Sequence, residues 1–206
     1  MVLEGPEASG KSTQCQLLAQ RLGAMYTKEP GGSPLGIRLR EILLARDGEG
    51  EWLPLSPRAE ALLMLADRAQ HVEEVVIPAL AAGKWVICDR FTPSTLAYQG
   101  AARGLDPWEL EQMSDWAADR LEPDLYVYLE VGAAEAHKRR PRPADRMEEQ
   151  GEEFFERVRS YYLRASLGEN WMTIDGLGDP AEVTDRILAG LRSRLAPLPQ
   201  EHDATG

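Results

Sequence analysis

The sequence predicts an α/β protein built on a doubly wound, five-stranded parallel sheet flanked by helices. Three observations carry that prediction. A glycine-rich turn, Gly5-Pro6-Glu7-Ala8-Ser9-Gly10-Lys11-Ser12-Thr13, follows a short apolar run and opens a helical pattern. Five short apolar runs alternate with helical periodicities along the chain, as parallel sheets with crossover helices require. The third of those runs ends in Asp89-Arg90, a carboxylate and a guanidinium at the mouth of a buried strand. At 206 residues the chain has room for one substantial domain, assigned to residues 1–195, followed by a tail over 196–206.

The first strand is Met1-Val2-Leu3, broken by Glu4. Only four residues precede the turn, against about five or six in an ordinary strand, so either the strand is short or the true start lies upstream. The turn itself reads G-x-x-x-x-G-K-S. Its glycines let backbone N–H groups face inward, and together with the following helix N-terminus these hold polyphosphate oxygens. Lys11 is placed to reach the β- and γ-phosphates of a nucleotide, and the Ser12 hydroxyl to ligate Mg²⁺. A glycine-rich βα turn that fits by chance is the competing explanation, and it requires four fixed positions to coincide. Cys15, Leu17, Leu18, Ala19 and Leu22 recur at helical spacing behind the turn.

Composition narrows the class. A net charge of −11 argues against a nucleic-acid surface, which needs basic groups to displace counterions. No apolar run approaches the length of a membrane span. A phosphate loop starting at residue 5 leaves no place for a signal peptide. Cys15 and Cys88 sit in apolar patterns at no metal-binding spacing and read as reduced core thiols. The expectation is a cytoplasmic enzyme with small-molecule partners.

Met25-Tyr26-Thr27 is the second strand, ending in the turn Lys28-Glu29-Pro30-Gly31-Gly32. Leu35, Ile37, Leu39, Ile42 and Leu43 mark a helix carrying Arg38 and Arg40, followed by an acidic loop over residues 46–56. A long helix runs from Pro57 to about Leu80, with Pro78 placed to kink or close it. Met64, Arg68 and His71 share one of its faces. Arg68 lies among apolar neighbours and needs an anionic or carbonyl partner; Asp67 or Glu60 of the same helix would serve. Residues 84–88 form the third strand. The run Phe91-Thr92-Pro93-Ser94-Thr95-Leu96-Ala97-Tyr98-Gln99-Gly100 then supplies hydroxyls, a ring and an amide beside the strand end, more than a connection requires.

At this point the sequence resembles the thymidylate (dTMP) kinase family in its bacterial form, a member of the phosphate-loop nucleotide-kinase fold. The motifs are G-P-E-A-S-G-K-S-T, E-P-G-G, A-D-R-A-Q-H-V, D-R-F-T-P-S-T-L-A-Y-Q-G and D-R-M-E, in that order over roughly residues 1–190. The resemblance implies transfer of the γ-phosphoryl of ATP to dTMP with Mg²⁺, giving dTDP on the route to dTTP, by a homodimer. It implies a phosphate loop of Gly5, Pro6, Glu7, Ala8, Ser9, Gly10, Lys11, Ser12 and Thr13 around ATP, with Ser12 and Asp89 at the metal. It further implies Arg68 and Thr95 on the thymine, Tyr98 beside C2′, Glu7 at the 3′-hydroxyl, Arg90 on the acceptor phosphate with Arg40 a second candidate, and Gln99 in the same pocket. The family commonly has Phe where this chain has Met64. A thioether covers a ring face through dispersion and S–π contact, with a looser shape constraint on the base.

The second half adds a strand over Asp124–Val131 and a short helix over Ala133–Lys138. A basic cluster from Lys138 to Arg146 then opens a lid assigned to about 138–150. A charge run is usually a solvated face. Phosphoryl transfer between two nucleotides nevertheless gathers negative charge that arriving arginines offset. Because the loop carries Ala8 and no arginine, the resemblance implies a catalytic arginine from the lid: Arg139, Arg140 or Arg142, with Asp145 and Glu148 ordering it. Phe154, Phe155, Val158, Tyr161 and Tyr162 read as a core-facing helix, residues 171–174 as the last strand, and Val183, Ile187, Leu188 and Leu191 as the stripe of a final helix. A broader deoxynucleoside or nucleotide kinase is the alternative within enzymes, although Arg90 beside Asp89 suits an acceptor that already carries phosphate. A non-catalytic switch of the GTPase kind would need an N/T-K-x-D guanine reader, and the sequence has none.

Overall fold

A computed structural model describes residues 1–139, 146–147, 149–195 and 197–199. Its five strands are β1 (Val2–Glu4), β2 (Met25–Lys28), β3 (Val86–Asp89), β4 (Tyr126–Glu130) and β5 (Trp171–Asp175). They pair in the order β2-β3-β1-β4-β5, all parallel. The chain winds to one side of β1 through β2 and β3, then to the other through β4 and β5. A crevice therefore opens at the carboxyl ends beside β1, where open parallel sheets bind ligands. β1 is three residues long, and Val2 and Leu3 pair with Cys88 and Asp89 on one side and with Tyr126 and Val127 on the other.

Alternation along the strands sends successive side chains to opposite faces. Leu3, Ile87, Val127 and Leu129 pack with Cys15, Leu18 and Leu22 of α1 (Lys11–Leu22) and with Ile187, Leu188 and Leu191 of α9 (Pro180–Arg194). Tyr128 and Trp171 pack on the other face with Phe154, Val158 and Tyr162 of α8 (Glu152–Ala165). Asp179 caps α9 in a capping box with Glu182. Both cysteines are free and buried, and burial pushes both thiols well above their ordinary values.

The helix predicted over 57–80 is present but divided. α3 (Pro57–His71) passes into a π-helical turn at Val72–Val76 and then α4 (Ile77–Ala81). Pro78 has no N–H to give the preceding turn and its ring crowds the carbonyl four residues back. The wider turn, closed by Ile77 N–H donating to Val72 C=O, relieves that conflict without ending the helix. α2 (Pro34–Leu43) and α7 (Ala133–Arg139) fall where the sequence places them.

Two helical stretches are not anticipated. Residues 91–100 read as a polar and aromatic segment beside the strand end, with no helix predicted, yet they form α5 (Thr92–Thr95) and a π-helical segment, Leu96–Ala102. α6 (Pro107–Ala117) follows. Its start was legible: Asp106 accepts from the N–H groups of Trp108 and Glu109, and Pro107 occupies the first turn.

Candidate active site

The phosphate loop joins β1 to α1 in a conformation that only part of its sequence explains. Gly5 has φ +148°, and a Cβ there would lie 2.8 Å from the Leu129 carbonyl oxygen. Gly10 stands at φ +94° as the N-cap of α1. Ala8 also holds φ +60°, a strained value for a residue with a side chain. Lys11 folds back over the loop and donates to Pro6 C=O at 2.8 Å and Ser9 Oγ at 3.3 Å. Burial, with the nearby Arg90 charge, lowers its ammonium below the ordinary value. Gly5 and Pro6 shape the loop without lining either cavity beside it.

Ser12, on the first turn of α1, donates its hydroxyl to Asp89 Oδ2 at the end of β3. The other carboxylate oxygen, Oδ1, is buried with no hydrogen-bond partner among the described residues. A hydroxyl and a spare carboxylate oxygen at the loop are hard donors that fit Mg²⁺, which binds through one or two protein oxygens and completes its shell with water and phosphate.

Arg90 is the next residue, at φ +73°. Its Nη1 donates to Gly5 C=O and Ser94 Oγ, and its Nη2 to Glu7 Oε1 at 2.6 Å and Tyr98 Oη at 3.3 Å. Burial opposes the guanidinium charge most strongly, but Glu7 together with Tyr98, Tyr162 and Asp89 outweighs it and holds Arg90 well above its ordinary value. Burial likewise raises the Glu7 carboxyl, and Arg90 with Lys11 reverses the sign, leaving it below the carboxylate range. Under this pair lies Glu4, fully buried, accepting from Phe91 N–H, Ser94 Oγ and Tyr162 Oη. Burial raises its pKa, and Arg90 offsets part of the shift.

Arg68 on α3 takes neither of the partners predicted within its own helix. It donates from Nε to Glu29 Oε2 at 2.9 Å and from Nη2 to Thr95 Oγ1 at 3.1 Å. Glu29 comes from the turn after β2, next to a cis Glu29–Pro30 bond, and its second oxygen meets His71 Nδ1 at 2.9 Å. Residues 39 and 42 positions apart thus share one carboxylate, a pairing no helical periodicity reveals. Arg68 Nη1 is buried and has no partner among the described residues.

These groups surround a cavity of about 430 Å³. Glu7, Lys11, Ser12, Asp89, Arg90, Arg40, Met64, Arg68, Thr95, Tyr98 and Gln99 line it, as do the loop residues Ala8, Gly10 and Thr13, fourteen of the predicted residues in all. Arg40 reaches it from α2 while donating to Pro30 C=O, and its neighbour Arg38 is solvated and pairs with Glu41. Arg146 and Met147, which the sequence places in the D-R-M-E motif without a site role, also line the cavity. A second cavity of about 360 Å³ lies across the loop, lined by Ser9, Gly10, Thr13, Arg139, Gly176 and Pro180 among others. Arg139 there donates to Glu135 and to Gly176 C=O. Arg140, Arg142, Asp145 and Glu148 lie outside the described residues.

Two cavities that share one phosphate loop, one rich in arginine and hydrogen-bonding groups, define a phosphotransferase of the phosphate-loop class that handles nucleotides. Comparison with known proteins narrows the class. The thymidylate kinase family model matches residues 3–187. The thymidylate kinase of Cutibacterium acnes is 44% identical over 204 residues, covering 94% of this chain and 98% of its own. That of Pelotomaculum thermopropionicum is 46% identical over 211 residues, covering 92% and 96%. The crystal structure of thymidylate kinase from Ehrlichia chaffeensis superposes with a TM-score of 0.75 at 29% identity, covering 93% of this chain and 96% of that one. The chain belongs to the thymidylate kinase family.

Proposed function

We propose that this protein transfers the γ-phosphoryl group of ATP to dTMP, giving dTDP and ADP. The observation that carries the reading is a pair of arginines in one cavity: Arg90, held charged at the phosphate loop, and Arg68, whose Nη1 is a buried donor without a partner among the described residues. An unpaired buried donor is costly, and a ligand that brings a carbonyl to Arg68 and a phosphate to Arg90 answers both. In this reading Met64 covers the base face, Thr95 and Gln99 meet its polar edge, Tyr98 closes the space beside the sugar, and Glu7 takes the 3′-hydroxyl. Arg40 is a second cation for the acceptor phosphate.

ATP takes the other side of the loop. Glu7 to Thr13 present their backbone N–H groups and the α1 N-terminus to its phosphates, with Gly5 and Pro6 shaping the turn. The second cavity, walled by Gly176, Pro180 and Arg139, takes its base end. Lys11 exchanges its bonds to Pro6 and Ser9 for phosphate oxygens, a swap that adds little desolvation because burial has already stripped water from the ammonium. Ser12 and Asp89 are the residues that would hold Mg²⁺, which when bound neutralises charge on the ATP phosphates. The acceptor phosphate is already ionised, so catalysis reduces to alignment by Arg90 and charge stabilisation by Lys11 and a lid arginine, Arg139, Arg140 or Arg142.

Exposed apolar residues support a homodimer. Leu62 on α3 is 55% exposed and Trp116 on α6 is 81% exposed, with Ile37 on the adjoining α2 also uncovered. No helix among the described residues is long and apolar enough to cross a membrane, and we place the enzyme in the cytoplasm as a single domain over 1–195. The test is ADP release from Mg·ATP with dTMP, dUMP, UMP, dCMP, dGMP and thymidine as separate acceptors. Rapid turnover with dTMP is expected. Turnover with thymidine and none with dTMP would overturn the assignment of Arg90 to an acceptor phosphate.

A further inference from the structure

Glu60 stands at the first turn of α3, on the same stripe as Met64 and Arg68, and its side chain is 1% exposed. Among the described residues, three side chains converge on its carboxylate. Arg103 forms a fork, Nε to Oε1 at 3.2 Å and Nη2 to Oε2 at 3.1 Å. Gln99 donates from Nε2 to Oε1 at 3.0 Å. The Nε of Arg146 lies 3.6 Å from Oε2. Arg146 in turn donates to the carbonyls of Leu53 and Leu55, just before α3. Glu60 does not line the acceptor cavity, but Gln99 and Arg146 do.

A buried carboxylate among arginines is a poor way to gain stability, because desolvation consumes most of the attraction; its return is geometry. We propose that Glu60 is a positioning residue for acceptor selection, a carboxylate behind the wall that sets the orientation of Gln99 and seats Arg146 at the mouth of the pocket. A carboxylate only accepts hydrogen bonds. It therefore forces the Gln99 amide to turn its nitrogen inward and its oxygen away. A neutral amide at position 60 can donate as well as accept, so it would release that choice and leave two guanidinium groups without their counter-charge. Nothing in this network touches the ATP-side cavity, so its effect falls on one substrate only. The inference rests on reading the larger cavity as the dTMP pocket.

The experiment is steady-state kinetics of Glu60→Gln and Glu60→Asp, with each substrate varied in turn. For Glu60→Gln the KM for dTMP rises at least about tenfold, the scale of one lost charge-assisted hydrogen bond. The KM for ATP stays within about twofold, and Glu60→Asp recovers part of the loss. A merely structural role would lower the active fraction, and hence kcat, at unchanged KM; that result, or an equal rise for both substrates, overturns the proposal. Should Glu60→Gln fold poorly, Gln99→Leu and the Glu60→Asp/Gln99→Leu double variant supply the check. A Glu60→Asp effect on dTMP KM that persists in full without Gln99 refutes action through that amide. Failure of the wild-type chain to use dTMP at all would instead refute the pocket assignment, and is read before any variant.

Discussion

The Glu29–Arg68 pair offers the sharpest test of how this pocket is held. Both side chains are almost wholly buried, 5% and 3% exposed, with Nε and Oε2 at 2.9 Å. Replacing Glu29 by Met leaves Arg68 charged, desolvated and short of its anion, while Nη1 already lacks a partner among the described residues. Breaking a buried pair from one side costs about 3–5 kcal/mol. Against a total stability of about 5–15 kcal/mol this is a large share of what holds the fold. At about 2–4 °C per kcal/mol for a chain of this size, Tm falls by roughly 6–20 °C. The double variant Glu29→Met/Arg68→Met removes both charges and refills the space with side chains of similar volume, a change that in buried pairs is often neutral or stabilising. It regains most of the lost Tm, short of what His71 and Thr95 lose as partners. Its activity does not return, because the donor proposed for the base is gone. Calorimetry and ADP release on the same preparations read the two quantities separately. A double variant no more stable than Glu29→Met would refute an electrostatic origin for the loss, and one with restored dTMP turnover would refute the base contact.

Three further predictions follow the site. Arg90→Ala lowers kcat/KM by about 10²–10³-fold or more while ATP affinity, measured by calorimetry, is nearly unchanged; turnover at wild-type rates would refute the acceptor-phosphate role. Met64→Phe raises the preference for dTMP over dUMP and halogenated analogues, and an unchanged ratio would remove Met64 from the base. Asp67 is buried with Oδ2 unpartnered among the described residues, and burial followed by repulsion from Glu29 pushes its pKa up to about 6. A carboxyl whose folded pKa is raised binds its proton more tightly in the folded state. Its contribution is therefore full below the unfolded value near 4 and fades as pH rises to about 6. Asp67→Asn should flatten the fall in Tm between pH 4 and pH 6, and an identical slope in both proteins would show that Asp67 does not titrate there.

What the sequence by itself determined is local. The phosphate loop depends on glycines a few residues apart and on the helix they open, and five strand runs announce themselves by apolar composition over a handful of positions. Met64 and Arg68 could be placed on one face because helical geometry alone puts them there. Pro78 marks a kink or a close in the sequence, and only the neighbouring turn decides that the helix widens there and continues. Residues 91–100 were recognised as functional by side-chain chemistry but not as helical, because Thr92 to Thr95 are weak helix formers that tertiary packing overrides. The tertiary structure alone decided the partners. Ser12 meets Asp89 across 77 positions, Arg68 meets Glu29 across 39, and Arg103 meets Glu60 across 43. Charges of either sign are abundant in this chain, so no local pattern selects which pair is buried. That choice belongs to the sheet order, which sets the ends of β1, β2 and β3 side by side and points α3 and the Leu96–Ala102 turn at the same cavity.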